Sequence, residues 1–165
     1  MALILRFVLA VLVCTVLTAC AATNALEPQH KQLASRNARI FVLRPGAFSG
    51  GAQSVTVKIN GTAVGSVANN SYLSVDRPPG RYKIEASFPF FSVGNEHEAE
   101  VQAGRTYYFV FNTPATAVIS HGIYIPLHGS AVGKKVGSTD YLTGSYIAEL
   151  DASSGPAVLS RLKPP

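Results

Sequence analysis

From Val55 to Phe88 the chain alternates between hydrophobic and polar positions with a period of two. Val55, Val57 and Ile59 interleave with Thr56, Lys58 and Asn60, the pattern of a strand with one face in a core. Asn60-Gly61 follows at once and predicts a type I′ hairpin turn, because both central residues of that turn need positive φ. Leu73 and Val75 share one face of a further strand, with Asn69-Asn70 marking a weaker turn before them. Arg77-Pro78-Pro79-Gly80 then breaks the pattern, since proline has no amide to donate and glycine supplies positive φ. Beyond it Tyr82, Ile84, Ala86 and Phe88 point one way, and Arg81, Lys83, Glu85 and Ser87 the other.

The flanks of this stretch read the same way. Ile40-Phe41-Val42-Leu43 is an unbroken apolar run between Arg39 and Arg44, which predicts a strand buried on both faces. Alternation places Glu96, Glu98 and Glu100 on one face and His97, Ala99 and Val101 on the other. Between Arg105 and Thr113, Tyr107, Phe109 and Phe111 share a side. The rhythm then lapses, although Gly122 to Leu127 and Tyr141 to Leu150 still read as strands. Residues 151–165 read as a frayed tail. Seven to nine short strands, with no helix of normal length past the first twenty residues, predict an all-β protein built as an antiparallel β-sandwich. It occupies residues 38–150, with a core region at 38–113 and C-terminal strands at 114–150. The 165 residues suit one domain, and 47% hydrophobic against 14% charged content suits a packed core.

Not all of that apolar content belongs to the core. Arg6 is followed by the apolar run Phe7 to Leu17. A bilayer crossing needs about 20 such residues, so this run reads as a secretory signal. Leu17-Thr18-Ala19-Cys20 resembles the lipobox of bacterial lipoproteins. The resemblance implies that residues 1–19 are removed, that the Cys20 thiol receives diacylglycerol, and that its new amine is acylated, for example with palmitate. Cys20 would thereby join the chain to a lipid bilayer, and more than one acyl chain makes such anchoring stable. Cys14 falls in the removed segment, so the exported domain has no pair of thiols. Ala21, not Asp, follows the cysteine; by likeness to Gram-negative lipoproteins this points to the outer membrane, facing the periplasm. Residues 20–37 are small and polar and include Pro28, and they read as a tether of about 20–25 Å if they behave as a flexible coil.

Several short motifs recur in a fixed order: Arg44-Pro45-Gly46, Val57-Lys58-Ile59-Asn60-Gly61, Val64-Gly65, Tyr72, Pro79-Gly80-Arg81-Tyr82 and Gly104-Arg105-Thr106-Tyr107-Tyr108. This order resembles the domain-of-unknown-function 2846 family, small β-sandwich domains common in bacterial lipoproteins. The likeness spans Ala38 to Thr113, with looser agreement from Gly144 to Leu150, while residues 114–143 depart from the short connection it implies. The hairpin and Pro-Gly-x-Tyr portion is also similar to PEGA-type surface modules. The family implies no catalytic residues.

Candidate chemistry is sparse. The net charge of +5 is carried by scattered basic residues, not by a stripe interleaved with aromatics, which argues against a nucleic-acid partner. His97 lies between two glutamates, yet strand neighbours face opposite ways, so the three cannot form one ligand shell. Glu96, Glu98 and Glu100 read as a solvated face, and His121 and His128 have no acidic or cysteine partner at ligand spacing. There is no Gly-x-Ser-x-Gly elbow and no phosphate-cradling loop before a helix, so neither an enzyme nor a cofactor is implied. Phe90 and Phe91 lie in an apolar loop, where they either plug the end of the sandwich or form a contact surface. Two functional readings follow. One is a membrane-anchored envelope lipoprotein acting as a non-catalytic interaction or structural module, with Phe90 and Phe91 facing an envelope protein partner. The other is a small-ligand-binding or hydrolytic periplasmic domain with a pocket near His97 and His121.

Overall fold

A computed structural model describes residues 22–47, 51–89, 95–112, 135–139 and 145–165. Cys20, Phe90, Phe91, His121, His128 and the expected strand at 122–127 lie outside these residues. Among the described residues there are nine strands of five residues or more, a two-residue strand and one short helix. In chain order they are β1 (Asn24–Ala25), β2 (Ala38–Arg44), β3 (Val55–Ile59), β4 (Thr62–Val67), β5 (Ser71–Arg77), β6 (Gly80–Ser87), β7 (Asn95–Val101), β8 (Thr106–Asn112), β9 (Lys135–Thr139), β10 (Tyr146–Leu150) and α1 (Ser154–Leu159).

They form two five-stranded sheets, one ordered β1-β4-β3-β6-β7 and the other β5-β2-β8-β10-β9. Every described pairing between strands is antiparallel except that of β2 with β8, where Arg39 lies beside Thr106 and Leu43 beside Val110; an isolated parallel bridge also joins Ser71 to Lys163. The expected β-sandwich is therefore present, with one parallel pair at the centre of the second sheet. Asn69-Asn70 is the point at which the chain leaves the first sheet and enters the second. Asn70 takes a φ of 58° there, a conformation asparagine tolerates.

The alternation read from the sequence is the alternation of burial. Val55, Val57 and Ile59 are buried, as are Ile84, Ala86 and Phe88, and between the sheets they meet Ile40, Val42, Leu73, Phe109 and Phe111. Each fully buried aliphatic or aromatic side chain contributes roughly 1.5–3 kcal/mol, so this layer dominates the stability. The Asn60-Gly61 turn has both residues at positive φ, 50° and 78°, as the type I′ geometry requires. Asn60 also receives the Lys83 amide on its Oδ1, tying the turn to β6.

Strand β2 is buried on both faces, as its continuous apolar run predicts. Its inner face joins the main core. Its outer face carries Phe41 and Leu43 into a second apolar layer with Tyr72, Tyr108, Val110 and Ala148. Tyr108 stacks on Phe41 with ring centroids 5.4 Å apart and planes 5° from parallel. Residues 151–165 cover this face and are not a frayed tail. Val158, Leu159 and Leu162 pack onto the layer, and Gly155 lies so close to Tyr108 that a Cβ there would sit 2.3 Å from the ring. Asp151 starts the helix by accepting the Ser154 amide at 2.7 Å and the Ser153 hydroxyl at 2.6 Å. These bonds hold its carboxyl down to about 2.

Candidate functional site

On one side of the sandwich, the edges β4 and β5 would be open but for the segment before β2. From residue 22 to 30 exposure alternates: Thr23, Ala25, Glu27 and Gln29 are half-buried, and their neighbours face solvent. The inward residues make specific bonds. Asn24 pairs with Ser66 and Ala25 with Gly65, adding a strand to β4. Gly65 permits that approach. It sits at φ 155°, and a Cβ would meet the Asn24 carbonyl oxygen at 2.4 Å.

Gln29 then acts as a substitute strand for the free edge of β5. Its amide donates to the Ser74 carbonyl and accepts the Ser74 amide, each at 2.8 Å. An edge strand leaves such groups unpaired and open to other chains, and one side chain here satisfies both. Glu27 grips Arg77 through two bonds, 2.6 and 2.7 Å. Arg39 likewise binds Asp76 through two nitrogens and also donates to the carbonyls of Lys31 and Gln32. Paired forks of this kind are the stronger class of charged hydrogen bond. The bond from Arg77 holds the Glu27 carboxyl below its ordinary value, and the Asp76 carboxylate holds the Arg39 guanidinium above its own. Residues 22–37 are thus a docked segment, where their composition had suggested a flexible tether. Small polar residues hide such docking because they show no hydrophobic period.

Where this segment turns back into β2 it encloses a shallow recess of about 310 Å³, lined by Glu27, His30, Gln32, Arg36 and Asp76 among others. The recess is polar, and two of its carboxylates are already held by arginines. Among the described residues no three of His, Cys, Asp or Glu are grouped to hold a metal ion.

The opposite side, between β7 and the β9–β10 edge, carries buried polar groups. His97 faces inward, as its alternation predicts, and is 2% exposed. Its ring lies 5.3 Å from that of Phe109, and its Nε2 lies 3.7 Å from the Glu149 carboxylate. Asn95 donates to the Ser145 hydroxyl at 2.8 Å beside it. Glu96, Glu98 and Glu100 face solvent, as expected, and Lys83 bridges Glu85 and Glu96 across the strands. Arg44, singled out in the sequence only as part of a motif, is a buried cation. It donates to the carbonyls of Gln53 and Val67 and lies 5.5 Å over the Phe88 ring, and burial pushes its pKa down to about 10. The arginine of the Arg44-Pro45 motif thereby fastens the connection into β3 to the end of β4.

Two stacked sheets, an inner apolar layer and edges closed by terminal segments define an all-β sandwich domain. Its family follows from comparison: the chain matches the model described as "Protein of unknown function (DUF2846)" over residues 34–123, more than half its length, and belongs to that family. No curated protein matches the chain. The match takes in β2 to β8, so β1, β9, β10 and α1, which close the edges and one outer face, lie outside it.

Proposed function

We propose that the chain is a lipid-anchored envelope lipoprotein, held in the outer membrane through Cys20, whose sandwich serves as a non-catalytic interaction or structural module. The observation that carries this reading is Leu17-Thr18-Ala19-Cys20 placed directly after a short apolar run. The described geometry is compatible with a module that works by its surface. Two of its arginines, Arg39 and Arg77, are engaged by carboxylates, and its described recess is shallow and polar. Cys20→Ala is expected to abolish both incorporation of labelled palmitate and retention in membranes after carbonate washing. A variant that still partitions with membranes and still takes up label would overturn the anchor.

A further inference from the structure

All the described strands run between two ends of the sandwich, and these ends differ. One end holds the start of β1, the β4–β5 turn, the start of β3 and the exit from α1. A chain of bonds joins them. Thr23 accepts the Ala68 amide and donates to the Ser71 hydroxyl, which donates to the Lys163 carbonyl. The Ser54 hydroxyl donates to the Ala22 carbonyl, and the Lys163 amide donates to that of Asn70. The opposite end holds the Asn60-Gly61 hairpin, the Pro78-Pro79 turn and the residues between β7 and β8.

We infer that the end carrying Ala22, Ser54, Asn70 and Lys163 is a membrane-facing surface, and that the sandwich stands on the lipid headgroups with a fixed end down. The inference rests on the lipid anchor at Cys20. Two peptide steps separate Cys20 from Ala22, so their Cα atoms are at most about 7 Å apart. The headgroup layer on each side of a bilayer is itself roughly 5–8 Å thick. A leash of this length is consumed in crossing the headgroups. No slack follows it, because the chain is hydrogen-bonded to the sandwich from Ala22 onward. Had residues 20–37 been a coil, the domain could have tumbled about 20 Å above the membrane.

The described residues of the two ends also differ in how many charged side chains they expose. Around Ala22 the described surface is made chiefly of small and uncharged residues, among them Ala52, Gln53, Asn69 and Asn70, with Arg161 and Lys163 as exposed charges where the chain leaves α1. The far end carries exposed Arg36, Arg81, Glu100 and Arg105, and there too lies the polar recess. Charged groups and recess are thereby presented to the aqueous side.

The test uses the lipidated full chain in vesicles of phosphatidylethanolamine and phosphatidylglycerol doped with a headgroup-attached fluorescence quencher. A fluorophore is placed on single cysteines introduced by Ala52→Cys or Lys163→Cys at the near end, and by Arg81→Cys or Arg105→Cys at the far end, all exposed positions. Quenching at the near positions should exceed that at the far positions by fivefold or more. Ten Gly/Ser residues inserted between Ala21 and Ala22 should reduce the difference to less than twofold. Equal quenching at all four positions of vesicle-bound protein, or stronger quenching at the far end, overturns the orientation while leaving the anchor standing. A chain that takes up no lipid and does not bind the vesicles overturns the anchor, and the orientation with it.

Discussion

Residues 22–37 lie on the sandwich through polar groups, whereas residues 151–162 lie on it mainly through apolar ones, and in each case a glycine makes the close approach possible. The first segment passes over Gly65 and is held by Glu27, Gln29 and backbone pairing. The second lays its own Gly155 against Tyr108 and is held by Val158, Leu159 and Leu162 in the layer of Phe41, Tyr72 and Tyr108. The difference follows from what each must cover. A sheet edge presents amides and carbonyls, which only polar groups can satisfy. An outer sheet face presents side chains, and here they are aromatic and aliphatic. The polar dock is therefore expected to respond to pH and salt more than the apolar one.

Gly65→Val is expected to have the largest effect. It combines a strained φ with a clash against the Asn24 backbone, and should cost about 3 kcal/mol in urea denaturation. Protease cleavage within residues 25–36 should rise in parallel. Retained protection there would mean that the first segment does not depend on passing over Gly65. Gly155→Ala should cost less, about 1–2 kcal/mol, the usual range for overpacking by a single methyl. The loss should be local: amide exchange should accelerate at 155–163 while β2 and β8 stay protected. A global loss of protection would make the helix part of the main core and erase the contrast.

Glu27→Gln is the smallest and the most discriminating. The pair with Arg77 is partly exposed, so its loss should cost about 0.5–1 kcal/mol. Because Arg77 holds the Glu27 carboxyl low, the stabilisation is complete above its ordinary value of 4.5 and is lost as pH falls through the lower folded value. Cleavage of the first segment should therefore rise in the parent chain as pH drops below 4.5, and the Gln variant should lack that step. Exchange at α1 should change little over the same range, since Asp151 keeps its charge down to about 2.

These two segments also mark the limit of what the sequence makes legible. Strands β3, β6, β7 and β8 are visible in it because one face lies in an apolar layer and the period of two records that burial, and β2 because an unbroken apolar run records burial on both faces. The inward face of 22–30 is Thr23, Ala25, Glu27 and Gln29, which carries the same period with no change in hydrophobicity. Helix α1 has six residues and holds Gly155-Pro156 in its first turn, too little for a helical period. Of the candidate site, the inward turn of His97 and the outward glutamates are legible from alternation alone. The pairs Glu27–Arg77 and Arg39–Asp76 are not, because their partners lie far apart in the chain. The one local hint is Gly65, a glycine within a strand, which signals close approach of another backbone.

The parallel pairing of β2 with β8 bears on how the chain folds. The first sheet can grow from two local hairpins, β3 with β4 and β6 with β7. The second has one such hairpin among its described strands, β9 with β10, but its centre waits on a distant pairing, because Arg39 must find Thr106 before β2 gains its second neighbour. Contacts of such long range slow folding, since loop closure precedes any gain from pairing. A chain delivered from its N-terminus would complete the β3–β4 hairpin early and hold β2, with its two apolar faces, unpaired on one side until residue 106 and beyond arrive. The interval between those events is when this sandwich is most open to aggregation.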